Sequence, residues 1–168
     1  MAPFPEALVR RAERVLAAAR ARGIRLATAE SCTGGLVAGL LTEIPGSSDV
    51  VERGFITYSN AAKSEMLGVP AELIRNRGAV SPEVARAMAE GALARSAADL
   101  ALAVTGVAGP GGGSASKPVG LVEFACAARG GTTVLATERF GDLGRGQIRL
   151  RAVAAALSLF ERAVDGAS

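Results

Sequence analysis

The stretch Thr28-Ala29-Glu30-Ser31-Cys32-Thr33-Gly34-Gly35 decides how this chain is read. Ahead of it, Ile24-Arg25-Leu26-Ala27-Thr28 is short and partly apolar and reads as a strand. Behind it, Leu36-Val37-Ala38-Gly39-Leu40-Leu41 reads as a buried helix. A serine at a strand-to-helix crossover stands where open α/β sheets place their ligands. The N–H groups of Thr33, Gly34 and Gly35 are expected to point into the same space, where a helix dipole favours negative charge. A tetrahedral oxyanion or a phosphate suits such a spot. A second reading stays open, in which Ser31 or Thr33 does no more than cap the helix.

Outward from this stretch the elements alternate. Residues 5–22 carry Leu8, Ala12, Val15 and Ala19 at helical spacing, with Glu6 and Arg10 placed for an i,i+4 pair and Gly23 as the stop. Ile44-Pro45-Gly46-Ser47-Ser48 is a turn, and Val50 to Ser59 supplies a second strand rich in β-favouring residues. Asn60 is read as the N-cap of a short helix from Ala61 to Leu67, ended by Gly68-Val69-Pro70. Ser81-Pro82-Glu83 opens a helix reaching about Ser96, with Val84, Met88 and Ala92 inward. Leu100 to Thr105 is nearly all apolar, as for a central strand covered on both faces. Pro118 to Ala128 and Thr132 to Phe140 are two strands joined through Arg129-Gly130-Gly131, and a helix from about Gly146 to Val164 closes the chain. This order predicts one domain over residues 1–168, a three-layer α/β/α sandwich. Its sheet is mixed and mostly parallel, with an antiparallel hairpin near the C-terminus.

Composition narrows the chemistry. The 168 residues suffice to bury roughly 70% of the unfolded surface. A net charge of +3 with scattered arginines, one tyrosine and no tryptophan gives neither the basic stripe nor the stacking platform of a nucleic-acid binder. Cys32 and Cys126 have no metal-binding or redox spacing, which fits a reduced, cytoplasmic protein. Met1-Ala2-Pro3-Phe4-Pro5 lacks the build of a signal peptide, and no run approaches 18 apolar residues, so neither export nor a membrane is expected. The chain contains no histidine. Ser-His-Asp and Cys-His machinery and histidine-ligated zinc are therefore excluded. If Ser31 is a nucleophile, its proton must pass to another base, and lysine is the leading substitute.

Two further features invite a functional reading. The loop Gly106-Val107-Ala108-Gly109-Pro110-Gly111-Gly112-Gly113-Ser114 is a flexible backbone surface able to admit a phosphate or ribose, or merely a long turn. It is not a P-loop, since Ser116-Lys117-Pro118 breaks that pattern, and Ser114 stands where a dinucleotide fingerprint needs its third glycine. Ser114-Ala115-Ser116-Lys117 fits the Ser-x-x-Lys of β-lactamases in letters only, because it precedes a proline instead of opening a helix. Lys63 is the other feature. With Asn60 as cap it is the third helical residue, a cation at the positive end of the dipole, unfavourable by about 0.3–1 kcal/mol. Local rules broken without compensation are expected at working sites. Burial in a cleft against Tyr58 and glycine-rich walls would depress the affinity of such an amine for protons. The plainer alternative is an exposed lysine on a short helix.

Several blocks resemble a known family. Thr28 to Gly35, Pro45-Gly46-Ser47-Ser48, Thr57-Tyr58-Ser59-Asn60-Ala61-Ala62-Lys63 and Leu67-Gly68-Val69 look like those of the CinA C-terminal domain family. So do Gly78-Ala79-Val80-Ser81 and Thr105 to Gly113 with Lys117-Pro118-Val119-Gly120, all in family order from about residue 6 to 164. The resemblance implies a metal-independent nicotinamide-nucleotide amidase, which hydrolyses the carboxamide of nicotinamide mononucleotide to the nicotinate nucleotide and ammonia, with no cofactor. The larger CinA N-terminal domain is not in the sequence, so the stand-alone form is expected. The resemblance makes Ser31 the nucleophile and Lys63 its base, with Tyr58 and Thr105 nearby for proton relay or substrate positioning. Backbone around Thr33, Gly34 and Gly35, with the Ser48 turn, would hold the oxyanion. Gly106, Gly109, Gly111, Gly112, Lys117 and Arg145 are candidates for ribose and phosphate. In the family pattern the phosphate arginine directly follows Gly-Asp, whereas here Leu143-Gly144 separate Gly141-Asp142 from Arg145. The partner expected is a small-molecule pyridine nucleotide, with no nucleic acid and no membrane; a homo-oligomer is left open, a dimer first. The rival readings are a nucleotide-binding module of the same type without catalysis and a nucleic-acid accessory protein.

Overall fold

Alternation of large and small residues along the central strands sets the architecture. In the computed structural model, which describes residues 3–167, β3 (Leu100–Gly106) sends Leu100, Leu102 and Val104 to one face of the sheet and Ala101 and Ala103 to the other. β4 (Leu121–Ala128) repeats the pattern, with Val122, Phe124 and Cys126 opposite Ala125 and Ala127. The large side chains pack under α1 (Glu6–Ala21), α2 (Leu36–Thr42) and α6 (Arg145–Asp165). The alanine face lets α5 (Pro82–Ala94) lie close against β1 (Leu26–Glu30), β3 and β4, with α3 (Asn60–Leu67) and α4 (Ala71–Arg77) beside it. The result is the expected α/β/α sandwich.

The sheet order is β2-β1-β3-β4-β5, with β2 at Val51–Ile56 and β5 at Val134–Arg139. β1 pairs in parallel with both β2 and β3, while β3–β4 and β4–β5 are antiparallel. The chain leaves β1 toward β2 and then crosses back to β3 on the other side. The gap beyond the carboxyl ends of β1 and β3 is thus the topological switch point of this sheet, where such folds bind ligands.

Local signals explain most boundaries. Ser81 caps α5 by accepting the Val84 N–H, with Pro82 at the first helical position. α1 buries Ala12, Val15, Leu16 and Ala19, and its Glu6 and Arg10 form the expected ion pair. Four expectations are corrected. β1 runs to Glu30, two residues past the expected end, so Ser31 directly follows the strand. β4 begins at Leu121, because Pro118 to Gly120 form a turn in which the Leu121 N–H returns to the Pro118 carbonyl. α4 was not foreseen; seven residues between Pro70 and Gly78, with only Ile74 buried, are too short to show a helical period. Ser59, not Asn60, caps α3, its hydroxyl accepting the Ala62 N–H at 3.0 Å.

Candidate active site

Beyond the ends of β1 and β3 lies a cavity of about 280 Å³ lined by Ser31, Cys32, Tyr58, Asn60, Lys63, Ala79, Val80, Thr105, Gly106, Ala108 and Arg145. Ser31 sits at its base, held by its own N–H to the Val104 carbonyl of β3 at 2.9 Å. The Lys63 Nζ donates to Ser31 Oγ at 2.9 Å and to the Thr57 carbonyl at 2.9 Å. With Ser59 as cap, Lys63 is the fourth helical residue. The broken local rule is therefore its burial, not its place in the dipole: it is 1% exposed, among the largest side chains fully enclosed. Burial pushes its pKa below the ordinary 10.5, opposed by a smaller pull from Cys32. A desolvated amine touching a serine hydroxyl is the arrangement that nucleophile activation needs.

The turn from Ser31 to Gly35 differs from expectation in an instructive way. Glu30, fully buried, accepts the Val37 N–H at 2.9 Å and the Ala38 N–H at 3.0 Å. The first free donors of α2 are thus taken by the chain's own carboxylate, and no oxyanion or phosphate is needed there. The Gly34 N–H returns to the Ser31 carbonyl at 2.9 Å, so it is not an open donor. None of Thr33, Gly34 and Gly35 lines the cavity. What the glycines supply is backbone freedom: Gly34 and Gly35 have φ of 57° and 99°, and a Cβ at Gly35 would meet Ile56 Cδ1 at 2.9 Å. The turn residue that does line the cavity beside Ser31 is Cys32, whose N–H is claimed by no carbonyl or carboxylate among the described residues. Its thiol is buried and free, and burial pushes its pKa up to about 11, which suits packing and not reactivity.

The remaining expected residues divide. Tyr58 and Arg145 meet at the mouth, where Arg145 donates to the Tyr58 hydroxyl at 2.8 Å and to the Gly109 carbonyl at 2.7 Å. Thr105 lines the cavity, but its hydroxyl donates to the Ala79 carbonyl at 2.8 Å, fixing the wall formed by Ala79 and Val80. Gly106 also lines it. Gly111 and Gly112 lie in the exposed part of the loop, away from the cavity lining. The Lys117 ammonium is committed to the Arg77 carbonyl at the end of α4 and ties that loop down. Ser48 is on the wrong side altogether. It sits in the 3-10 turn Ser47–Asp49 just before β2, and β2 runs parallel to β1, so Ser48 lies at the opposite end of the sheet from Ser31. The five residues of β1 alone span about 16 Å.

Two residues that hold the turn after Ser31 were missed by sequence reasoning. One is Glu30, disguised by its charge at a strand end. The other is Arg149, which donates from Nε to the Cys32 carbonyl at 3.1 Å and from Nη2 to the Thr33 carbonyl at 3.2 Å. Its position one helical turn after Arg145 was its only signal in the sequence. Among the described residues no three His, Cys, Asp or Glu side chains gather to hold a metal ion, and no helix is long and apolar enough to cross a membrane.

Known proteins share this fold. A crystal structure of the competence/damage inducible protein CihA from Agrobacterium tumefaciens superposes with a TM-score of 0.95 at 53% identity, over 98% of this chain and 99% of that one. The competence damage-inducible protein A from Klebsiella pneumoniae gives 0.90 at 37% identity, over 95% and 99% of the two chains. A CinA-like protein of Mycolicibacterium vanbaalenii is 53% identical over 144 residues, 86% of this chain and 34% of that protein. The chain spans about a third of the length of the curated relatives it matches. Residues 9–164 match the CinA C-terminal domain, and with these relatives they establish that the chain belongs to the CinA C-terminal domain family.

Proposed function

We propose that this chain is a serine amidohydrolase acting on the carboxamide of nicotinamide mononucleotide. The observation that carries the reading is the 2.9 Å contact between Lys63 Nζ and Ser31 Oγ, buried at the floor of a cavity in a chain without histidine. Family membership and the sequence blocks that resemble the amidases support the choice of substrate. Neutral Lys63 takes the Ser31 proton as Oγ attacks the carboxamide carbon. The tetrahedral oxyanion is met by backbone donors beside the serine, first the Cys32 N–H; one such donor is typically worth about 3 kcal/mol. Protonated Lys63 then passes its proton to the departing ammonia, leaving an acyl ester on Ser31. Water, deprotonated by the same amine, cleaves the ester to release nicotinate mononucleotide and restore the dyad. The Thr57 carbonyl holds the Lys63 amine in place throughout. At the mouth, Arg145 offers a planar fork suited to a phosphate, and Tyr58 orients that fork. Lys117, held by Arg77, and Gly111 and Gly112, outside the cavity, have no direct part in this scheme.

The test is ammonia release from nicotinamide mononucleotide by the wild-type chain and by Ser31→Ala and Lys63→Met. The expected result is release by the wild type alone, with both variants folded. Binding of the nucleotide without ammonia release by the wild type would overturn the reading in favour of a non-catalytic nucleotide-binding module.

A further inference from the structure

Arg149 touches neither the cavity nor any acid among the described residues, yet it spends two of its donors on consecutive carbonyls of the turn that follows Ser31. Those carbonyls belong to the Cys32–Thr33 and Thr33–Gly34 peptides. The planar peptide unit means that fixing each carbonyl fixes the N–H across it, here those of Thr33 and Gly34; the Gly34 N–H in turn donates to the Ser31 carbonyl, whose own peptide carries the Cys32 N–H. The segment needs such restraint. It lies between a strand and a helix, it continues into two left-handed glycines, and its other ties are the Gly34 N–H to Ser31 and the Leu36 N–H to Thr33. Gly34 also gives the guanidinium room, since a Cβ there would meet Arg149 Nη2 at 3.3 Å. A guanidinium meets two adjacent carbonyls from two nitrogens held apart in one rigid plane; an ammonium has several donors but a single nitrogen and cannot reproduce that spacing.

We propose that Arg149 is a positioning residue for the nucleophile: its fork sets the Cys32–Gly34 backbone and thereby the aim of Ser31 Oγ and the neighbouring Cys32 N–H. This rests on the reading of Ser31 as nucleophile. It assigns to Arg149 a role different from that of Arg145, which faces the cavity one turn earlier. Displacement of a reacting group by about 1 Å is enough to cost on the order of 10²-fold in rate.

The experiment compares wild type, Arg149→Lys, Arg149→Gln and Arg145→Met on nicotinamide mononucleotide and on its phosphate-free riboside. Ser31 phosphonylation by a fluorophosphonate, in which Oγ bonds to phosphorus and fluoride leaves, is followed in parallel by mass. Positioning predicts that both Arg149 variants lose at least tenfold in kcat with KM within twofold, by the same factor on both substrates, and label at Ser31 at least tenfold more slowly. Arg145→Met, the contrast, raises KM more on the nucleotide than on the riboside. An Arg149→Lys that keeps full kcat and labelling rate overturns the proposal, as does a loss carried by KM and confined to the phosphorylated substrate. Melting temperature is recorded for each variant; Arg149→Lys, which keeps the charge and most of the stem, serves if Arg149→Gln does not fold. The labelling arm separates the two claims. A wild type that labels at Ser31 but releases no ammonia defeats the choice of substrate while the Arg149 comparison still stands.

Discussion

Replacing Lys63 by methionine removes one titrating proton from the centre of the molecule, and the consequence for stability can be worked out in sign and slope. Lys63 is 1% exposed, and its pKa is lowered by burial from 10.5. Between the lowered folded value and 10.5 the unfolded chain therefore binds a proton at this position that the folded chain does not. The contribution of Lys63 to stability therefore rises with pH across that window, by at most about 1.4 kcal/mol for each pH unit, and is flat outside it. Lys63→Met, of similar length and without a proton, loses this term. The difference in unfolding free energy between wild type and variant, from urea titrations at intervals from about pH 6 to about pH 10.5, should climb across that window in favour of the wild type. Subtracting the two proteins cancels the other titrating groups. The constant offset, from the vacated Thr57 carbonyl and the changed packing at position 63, does not affect the slope.

The same proton governs catalysis. Under the proposed mechanism kcat/KM of the wild type rises as Lys63 deprotonates in the free enzyme, so the midpoint of the rate profile should coincide with the lower edge of the stability window. Two measurements with no shared assay then report one ionisation. A stability difference independent of pH would mean that Lys63 carries the same proton folded and unfolded. That result would refute the claim that burial prepares it as a base, whatever the activity of the variant.

Further outcomes follow from particular contacts. Ser31→Ala should abolish ammonia release while its melting temperature stays close to the wild type, since Lys63 keeps the Thr57 carbonyl as a partner. Glu30→Ala should cost about 2–3 kcal/mol in urea titration, because two buried N–H groups lose a charged acceptor, and Glu30→Gln should recover about half by accepting one of them. Gly91→Ala should destabilise α5, the reverse of the roughly 1 kcal/mol gain usual inside a helix, since the new Cβ would fall 2.0 Å from the Leu67 carbonyl oxygen; a raised melting temperature would contradict the packing of α5 on α3.

The parts of the fold legible in the sequence were those dictated by local chemistry. Ser81-Pro82 announced α5, the apolar run from Leu100 announced a doubly covered strand, and Arg129-Gly130-Gly131 announced the β4–β5 hairpin. Parts that depend on what lies across space were hidden. Ser48 follows Ser31 by a short interval in sequence, but a helix and a parallel strand pairing carry it to the far end of the sheet. Lys117 reads as a free cation beside a glycine loop until the Arg77 carbonyl is found under it. In sequence, Asn60 as cap makes Lys63 an anomaly of the dipole; the cap is Ser59, and the anomaly that marks the lysine is enclosure, which no helical numbering displays.

Glu30 and Arg149 show why a catalytic turn is harder to read than a catalytic residue. In sequence each is one charged residue among 35. In space they take opposite polarities of one backbone segment: the carboxylate collects the N–H groups of Val37 and Ala38, and the guanidinium collects the carbonyls of Cys32 and Thr33. Ser31 is pinned from a third side through its N–H to Val104 on β3. A serine hydroxyl that must meet both an amine and a carbonyl carbon tolerates little wandering, and a loop containing Gly34 and Gly35 would wander without these ties. The chemistry is visible in the letters Ser and Lys. The precision that makes it usable resides in residues whose side chains never reach the cavity.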